Sequence, residues 1–291
     1  MEKRDLGLIF AAGGNRSFYQ LGLMRRWRDK LLPRTGVIAA CSAGACMAVL
    51  SLTGREAEAE EFWNGRREGL TKNFEWGRLL RGERPTLHER IYRETLLCAL
   101  DGGGFERVRS QPFPVYVLTT GYPKRLPPML AALLGLWAYK LDSGPRRGAG
   151  RKVSYASRAG FTAVAYDARA CDSASMLADL IIASSATPPF TAVGRVAGRR
   201  LLDGGIISTV PIFLTDSVPG VTRRLVFMTS PLSGTSRAGA ADNIFYAAPS
   251  APLEVATWDL TKPELIEKAI RTGEEDAVRL DGSLDDFLTG S

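Results

Sequence analysis

Histidine is almost missing from this chain, with His88 the sole one among 291 residues. That scarcity removes every histidine-rich metal motif from consideration. The four cysteines, Cys41, Cys46, Cys98 and Cys171, include no Cys-x-x-Cys pair, and their spacing suits neither a structural zinc site nor a disulfide framework. Buried, reduced thiols are expected, and neither metal nor cofactor. Long apolar runs are lacking too, since none reaches the roughly 18 residues that a spanning helix needs. Lys3 and Arg4 ahead of Leu6 to Ala12 imitate a very short signal peptide, but the run leads into a glycine turn and a helix and reads as a first strand. A cytoplasmic protein is expected, with membrane association left open.

Charge of one sign is in modest excess. Thirty-eight Lys and Arg against 31 Asp and Glu give a net charge of +7 and a pI near 9.4, which favours anionic surfaces without naming one. The positive residues are dispersed except at Arg66-Arg67 and at Arg146-Arg147 with Arg151-Lys152. Neither cluster forms a nucleic-acid motif with aromatic residues, so solvated faces are expected, an anionic membrane is the alternative, and nucleic acid is not a partner. With 45% hydrophobic residues the chain can bury one substantial core, and residues 1–291 are read as a single domain. Its core would run from about residue 6 to 273, with the acidic tail 281–291 expected to fray.

What is present centres on Val37 to Leu50. A short apolar run with small residues at Ala39 and Ala40 meets Ser42-Ala43-Gly44 and continues through Cys46, Met47, Val49 and Leu50 at helical spacing. This is strand, sharp turn, helix. A serine on such a turn is lifted clear of the backbone at the positive end of the helix, which makes Ser42 a candidate nucleophile. An ordinary strand-to-helix connection is the plain alternative, and Ala40 stands where the Gly-x-Ser-x-Gly pattern has its first glycine.

Upstream, Leu6 to Ala11 reads as a strand buried on both faces. Ala12-Gly13-Gly14-Asn15-Arg16-Ser17 follows, then Phe18, Leu21, Met24, Trp27 and Leu31 at helical spacing. The glycine turn has neither the G-x-G-x-x-G order nor the G-K-[ST] ending of a nucleotide site. Its alternative use is an oxyanion hole, built from the amides of Gly13, Gly14 and Asn15 beside Ser42. A serine nucleophile also needs a base. His88 precedes every candidate acid and sits in the first turn of a helix that Thr86 can cap, whereas the α/β-hydrolase order puts histidine last. Asp203, in Leu201-Leu202-Asp203-Gly204-Gly205, is an acid at a strand end. It could take the serine proton directly if burial raises its pKa.

Further elements are expected in turn. Glu56 to Trp63 is helical, Pro114 to Thr119 and Phe161 to Tyr166 are strands, and Asp172 or Ser173 starts a helix with Met176, Leu177, Leu180 and Ile181 inward. Leu126 to Tyr139 is apolar on all sides and basic at its flanks, either a buried core helix or a lid that meets lipid. Gly144 to Lys152 and Ser230 to Ala241 read as loops, and Leu225 to Thr229 as the last strand. Thr261-Lys262-Pro263-Glu264 resembles a capping box ahead of a final helix.

The glycine loop, the serine turn, Ser185-Ala186-Thr187-Pro188-Pro189-Phe190 and Asp203-Gly204-Gly205, in that order, resemble the patatin-like phospholipase family over roughly Leu6 to Gly273. Ala12, Ser17, Ala40 and Ser208-Thr209-Val210-Pro211 depart from its usual pattern. The resemblance implies a three-layer α/β/α sandwich with a mostly parallel central sheet. It also implies a metal-free serine–aspartate dyad that hydrolyses acyl esters of lipids or phospholipids. Ser42 would carry the acyl group, Asp203 would be the base, Gly13, Gly14 and Asn15 would hold the oxyanion, and Arg16 would support the loop. An acyltransferase or thioesterase using the same dyad, or a noncatalytic lipid-binding protein, are the competing expectations. Oligomeric state and headgroup are not legible in the sequence.

Overall fold

The computed structural model describes residues 3–81, 84, 86–142, 155–188, 190–232, 239–241 and 243–290. In chain order its elements are β1 (Leu6–Phe10), α1 (Phe18–Leu31), β2 (Thr35–Cys41), α2 (Ala43–Thr53), α3 (Glu56–Arg67), α4 (His88–Leu100), α5 (Gly104–Arg109) and β3 (Val115–Gly121). Then come α6 (Pro128–Asp142), α7 (Tyr155–Arg158), β4 (Thr162–Asp167), α8 (Ala174–Ser184), β5 (Gly194–Val196), β6 (Arg199–Asp203), β7 (Arg223–Phe227), β8 (Gly239–Ala241), β9 (Ile244–Ala247) and α9 (Pro263–Thr289).

One mixed sheet runs in the order β5-β6-β3-β2-β1-β7-β9-β8, with β4 pairing β3 outside that path. The centre, β3-β2-β1-β7-β9, is parallel, and the added strands are antiparallel. Every residue of β1 and β2 is buried, which explains why both strands are free of charge and apolar but for Thr35, whose hydroxyl donates to the Leu31 carbonyl: helix or loop covers each face. The layers are unequal. Leu6, Leu8 and Phe10 enter the main core together with α1, α2, α8 and α9, whereas Ile9, Ala39 and Val226 face a thinner cover that includes Val210, Ile212 and Leu214. On this second face α6 and α7 close over Leu202 and Ile206.

Several expectations need correction. The last strand is β9 rather than β7, because the apolar Ile244–Ala247 extends the parallel sheet beside β7. The end of the Ser230–Ala241 segment pairs with it as β8. The acidic tail does not fray: α9 continues to Thr289 with Leu284, Phe287 and Leu288 buried, and Lys30 reaches both Asp281 (2.8 Å) and Asp285 (2.6 Å). No capping box forms, since Pro263 takes the first turn of α9 and the Thr261 hydroxyl donates to Asp259 instead. Arg67 is no solvated charge, for it is buried over the Trp63 ring and its fork reaches Asn64. The loop Gly144–Lys152 and its basic cluster lie outside the described residues.

Candidate active site

Register brings the two predicted side chains to one end of the sheet. Cys41 of β2 pairs with Leu118 of β3, and the next β3 residue, Thr119, pairs with Asp203 of β6. The chain then turns back over β3, and Gly204 makes that turn possible: a Cβ there would lie 2.2 Å from the Leu118 carbonyl oxygen. The result is a hydrogen bond of 2.8 Å in which Ser42 Oγ donates to Asp203 Oδ2.

Ser42 stands in a strained backbone conformation, φ 53° and ψ −137°, which costs on the order of 1–3 kcal/mol in a non-glycine residue. Its neighbours hold it there. The Ser42 amide donates to Ser184 Oγ (2.7 Å), and that hydroxyl donates onward to the Leu118 carbonyl (2.6 Å). Gly44 leaves room for the Ala11 carbonyl, 2.5 Å from where a Cβ would sit. Ala40, by contrast, lies inside β2 paired with Phe10 and Val117, so no glycine is required at that first motif position.

Asp203 accepts from the Gly205 amide at Oδ1 (2.6 Å), and no cation pairs with it among the described residues. Burial pushes its pKa up to about 6, opposed by the Gly205 amide and the Ser42 hydroxyl. Cys41, next to the serine, is held as a neutral thiol by burial and by the Asp203 charge, and it donates to the Ser208 carbonyl (3.3 Å). His88 stays outside the pair. Its ring lies against Trp258, Tyr92 and Trp63, hydrogen-bonds to neither Ser42 nor Asp203, and is pushed down to about 4 by burial.

The glycine loop meets the same spot with one change from expectation. The Asn15 amide donates to the Thr257 carbonyl (3.1 Å), and its side chain to Asp259 O (2.6 Å). Asn15 therefore anchors the loop to the 257–259 segment and is not a free donor. The Gly13 and Gly14 amides have no protein partner among the described residues. Gly13 packs so closely on Thr229 that a Cβ would lie 2.6 Å from that side chain. Arg16 Nε donates to the Gly13 carbonyl (3.3 Å), and Thr229 Oγ1 to Ala12 O (2.8 Å). Ser184, Thr229 and Thr257 were not singled out by sequence, because a lone hydroxyl residue in a helix end or loop carries no pattern.

Ser42, Asp203 and the glycine loop share the wall of a cavity of about 270 Å³. The remainder of the lining is mostly apolar, with Phe18, Leu21, Met47, Leu50, Trp63 and Ile182 among it. That combination of an apolar chamber and a few convergent polar groups is the ordinary form of a small-molecule site.

The model of the patatin-like phospholipase family matches residues 8–216. The chain belongs to the patatin-like phospholipase family. No curated protein matches it. Among solved structures, similarity at 12% identity extends to VipD from Legionella pneumophila, with a TM-score of 0.46, over 97% of this chain and 67% of that one. The human GIVD cytosolic phospholipase A2 is similar at 12% identity with a TM-score of 0.48, over 98% of this chain. The chain spans 62% of the length of that phospholipase. The family match includes both Ser42 and Asp203, and this patatin-like chain has no described helix long and apolar enough to cross a membrane.

Proposed function

We propose that this chain is a lipid acyl hydrolase cleaving carboxylic esters through a Ser42–Asp203 dyad. The observation that carries the reading is the 2.8 Å bond from Ser42 Oγ to Asp203 Oδ2 at the wall of an apolar cavity. Family membership supports the substrate class.

Serine is a weak nucleophile until a base takes its proton. Here Asp203 Oδ2 receives it as Ser42 Oγ attacks the ester carbonyl. The negative charge that develops on the carbonyl oxygen is met by the Gly13 and Gly14 amides, fixed in advance by Arg16, Thr229 and Asn15. Collapse of the tetrahedral intermediate breaks the ester C–O bond, and protonated Asp203 returns its proton to the leaving alkoxide. Ser42 now carries the acyl group. Water then attacks that ester, Asp203 takes the water proton, and the fatty acid leaves as Ser42 regains its hydrogen. A carboxylate raised to about 6 suits both halves of the cycle, being ionised near neutrality yet basic enough to accept a proton.

The test is incubation of pure protein with mixed phospholipids and neutral glycerides, wild type beside Ser42→Ala, with released products identified by mass spectrometry. Free fatty acid from wild type alone is the expected outcome, together with labelling of Ser42 by a fluorophosphonate probe. No release and no labelling would overturn the reading in favour of a noncatalytic lipid-binding protein. Acyl transfer to an added alcohol in preference to water would replace hydrolase by acyltransferase.

A further inference from the structure

Helix α6 reverses the normal arrangement of an amphipathic helix. Its inner face is made of small residues, Ala131, Ala132, Gly135 and Ala138, all buried. Its outer face carries Met129, Leu130, Leu133, Leu134 and Trp137, between 42% and 61% exposed. Helices on globular proteins bury the large apolar side chains and leave the outer face polar. Here the large groups recur at i, i+1, i+4, i+5 and i+8, one continuous stripe toward solvent. Five of the eight exposed large hydrophobics among the described residues fall on this single helix, so the patch is not scattered surface apolarity.

The small inner face brings α6 close to the catalytic machinery. A Cβ on Gly135 would come within 2.8 Å of Ile206 Cδ1, three residues after Asp203. Leu136, between the two faces, lines the same cavity as Ser42 and Asp203. The stripe is thus continuous with the chamber in which the ester would be attacked.

The surrounding charge selects the occupant. From Tyr122 to Ala138 and along α7, which packs on α6, the charged residues are Lys124, Arg125 and Arg158, all exposed. Two copies of the chain meeting through this face would bring like charges together, which opposes association. A lipid bilayer with anionic headgroups takes an apolar stripe into its acyl boundary and basic side chains at its phosphates, with tryptophan favoured at that depth. We infer that α6 is a membrane-docking element that seats the chain on an anionic phospholipid surface and delivers lipid past Leu136 into the cavity. The delivery part rests on the proposed hydrolase reading, whereas the docking does not.

The experiment uses the full chain carrying Ser42→Ala, so that lipid is not consumed, and sedimentation with two kinds of vesicle. One is phosphatidylcholine alone, the other phosphatidylcholine with an equal part of phosphatidylglycerol. Binding is expected to both and tighter to the mixed vesicles. Adding Leu133→Ser and Trp137→Ser, both outside the cavity lining, should weaken binding about a hundredfold, as expected for two large side chains withdrawn from an apolar phase. Adding Lys124→Gln and Arg125→Gln instead should cost about tenfold on mixed vesicles alone. With Ser42 intact, the Leu133→Ser and Trp137→Ser protein should hydrolyse a soluble short-chain ester at the wild-type kcat/KM and lose activity on vesicles. Unchanged vesicle binding in the α6 variant would overturn the proposal. So would light scattering that shows a dimer dissolved by the same substitutions. Vesicle binding that depends on α6, in a protein whose Ser42-intact form hydrolyses no ester, would uphold the docking surface and sink the hydrolase reading.

Discussion

Two carboxylates at opposite ends of the sheet live under opposite terms. Asp5 precedes β1, its side chain 7% exposed, and is met by two guanidinium groups, Arg34 at 3.3 Å and Arg223 at 3.2 Å. Both arginines also donate to the Leu288 carbonyl of α9, so the cluster ties the first strand to the last helix. Asp203 ends β6 with a hydroxyl and one amide for company. A buried carboxylate is stable when cations neutralise it and is a base when they do not. The compensated acid holds the fold together, while the uncompensated one keeps a proton affinity that chemistry can use.

The contrast is sharpest in what removing each group should do. Ser42→Ala takes away the proposed nucleophile and should lower ester hydrolysis by about 10⁵-fold, measured as initial rates, with the melting temperature little changed. Asp203→Asn should lower kcat by about 10³-fold. It should also raise thermal stability at neutral pH by a few degrees. Because the folded carboxyl titrates near 6 and an unfolded aspartate near 4, the native state binds more protons between those values. Stability is lost as pH rises through that window, and the asparagine escapes the loss. An Asp203→Asn protein of unchanged activity would refute the dyad.

Asp5→Ala should do the reverse, costing about 3 kcal/mol in chemical denaturation by leaving two arginines without their carboxylate while kcat per folded molecule stays at the wild-type level. Ser184→Ala falls between the two classes. It strips the acceptor from the Ser42 amide and the donor from the Leu118 carbonyl, so the serine turn relaxes and kcat drops about tenfold. A lower kcat with KM unchanged marks it as a positioning residue. The smallest effect is on pH: kcat/KM should halve between neutrality and about pH 6 and fall about tenfold per unit below, as Asp203 takes up its proton. A rate independent of pH over that range would remove Asp203 from the role of base.

Much of the central fold was readable because β1, β2 and the turn at Ser42 are local patterns: apolar runs, then small residues, then helical spacing. Ser173 could likewise be read as a helix start, and its hydroxyl accepts from Met176 N. The misses have a common cause. β9 is a four-residue strand whose identity rests on β7 beside it. The tail of α9 reads as acidic, yet its charges are met by Lys30 and its apolar residues find the core. Arg67 is a surface residue by type, but its chain lies over Trp63. Asn15 could be assigned to the glycine loop, but not to its bond with Thr257, because nothing in either segment mentions the other.

Composition and local pattern alone determined that the chain has a single histidine, and that a glycine loop, a serine turn and an Asp-Gly-Gly occur in that order. These are properties of adjacent residues, so they survive in one dimension. Only the tertiary structure decided which amides stay free and that Ser184 pins the strained serine. It alone decided that Asp203 has no cation beside it among the described residues, and that α6 turns its large side chains outward. Each of those depends on what burial removes from water and on which partner happens to stand within about 3 Å, and such neighbours are chosen by the packing of segments as much as 244 residues apart.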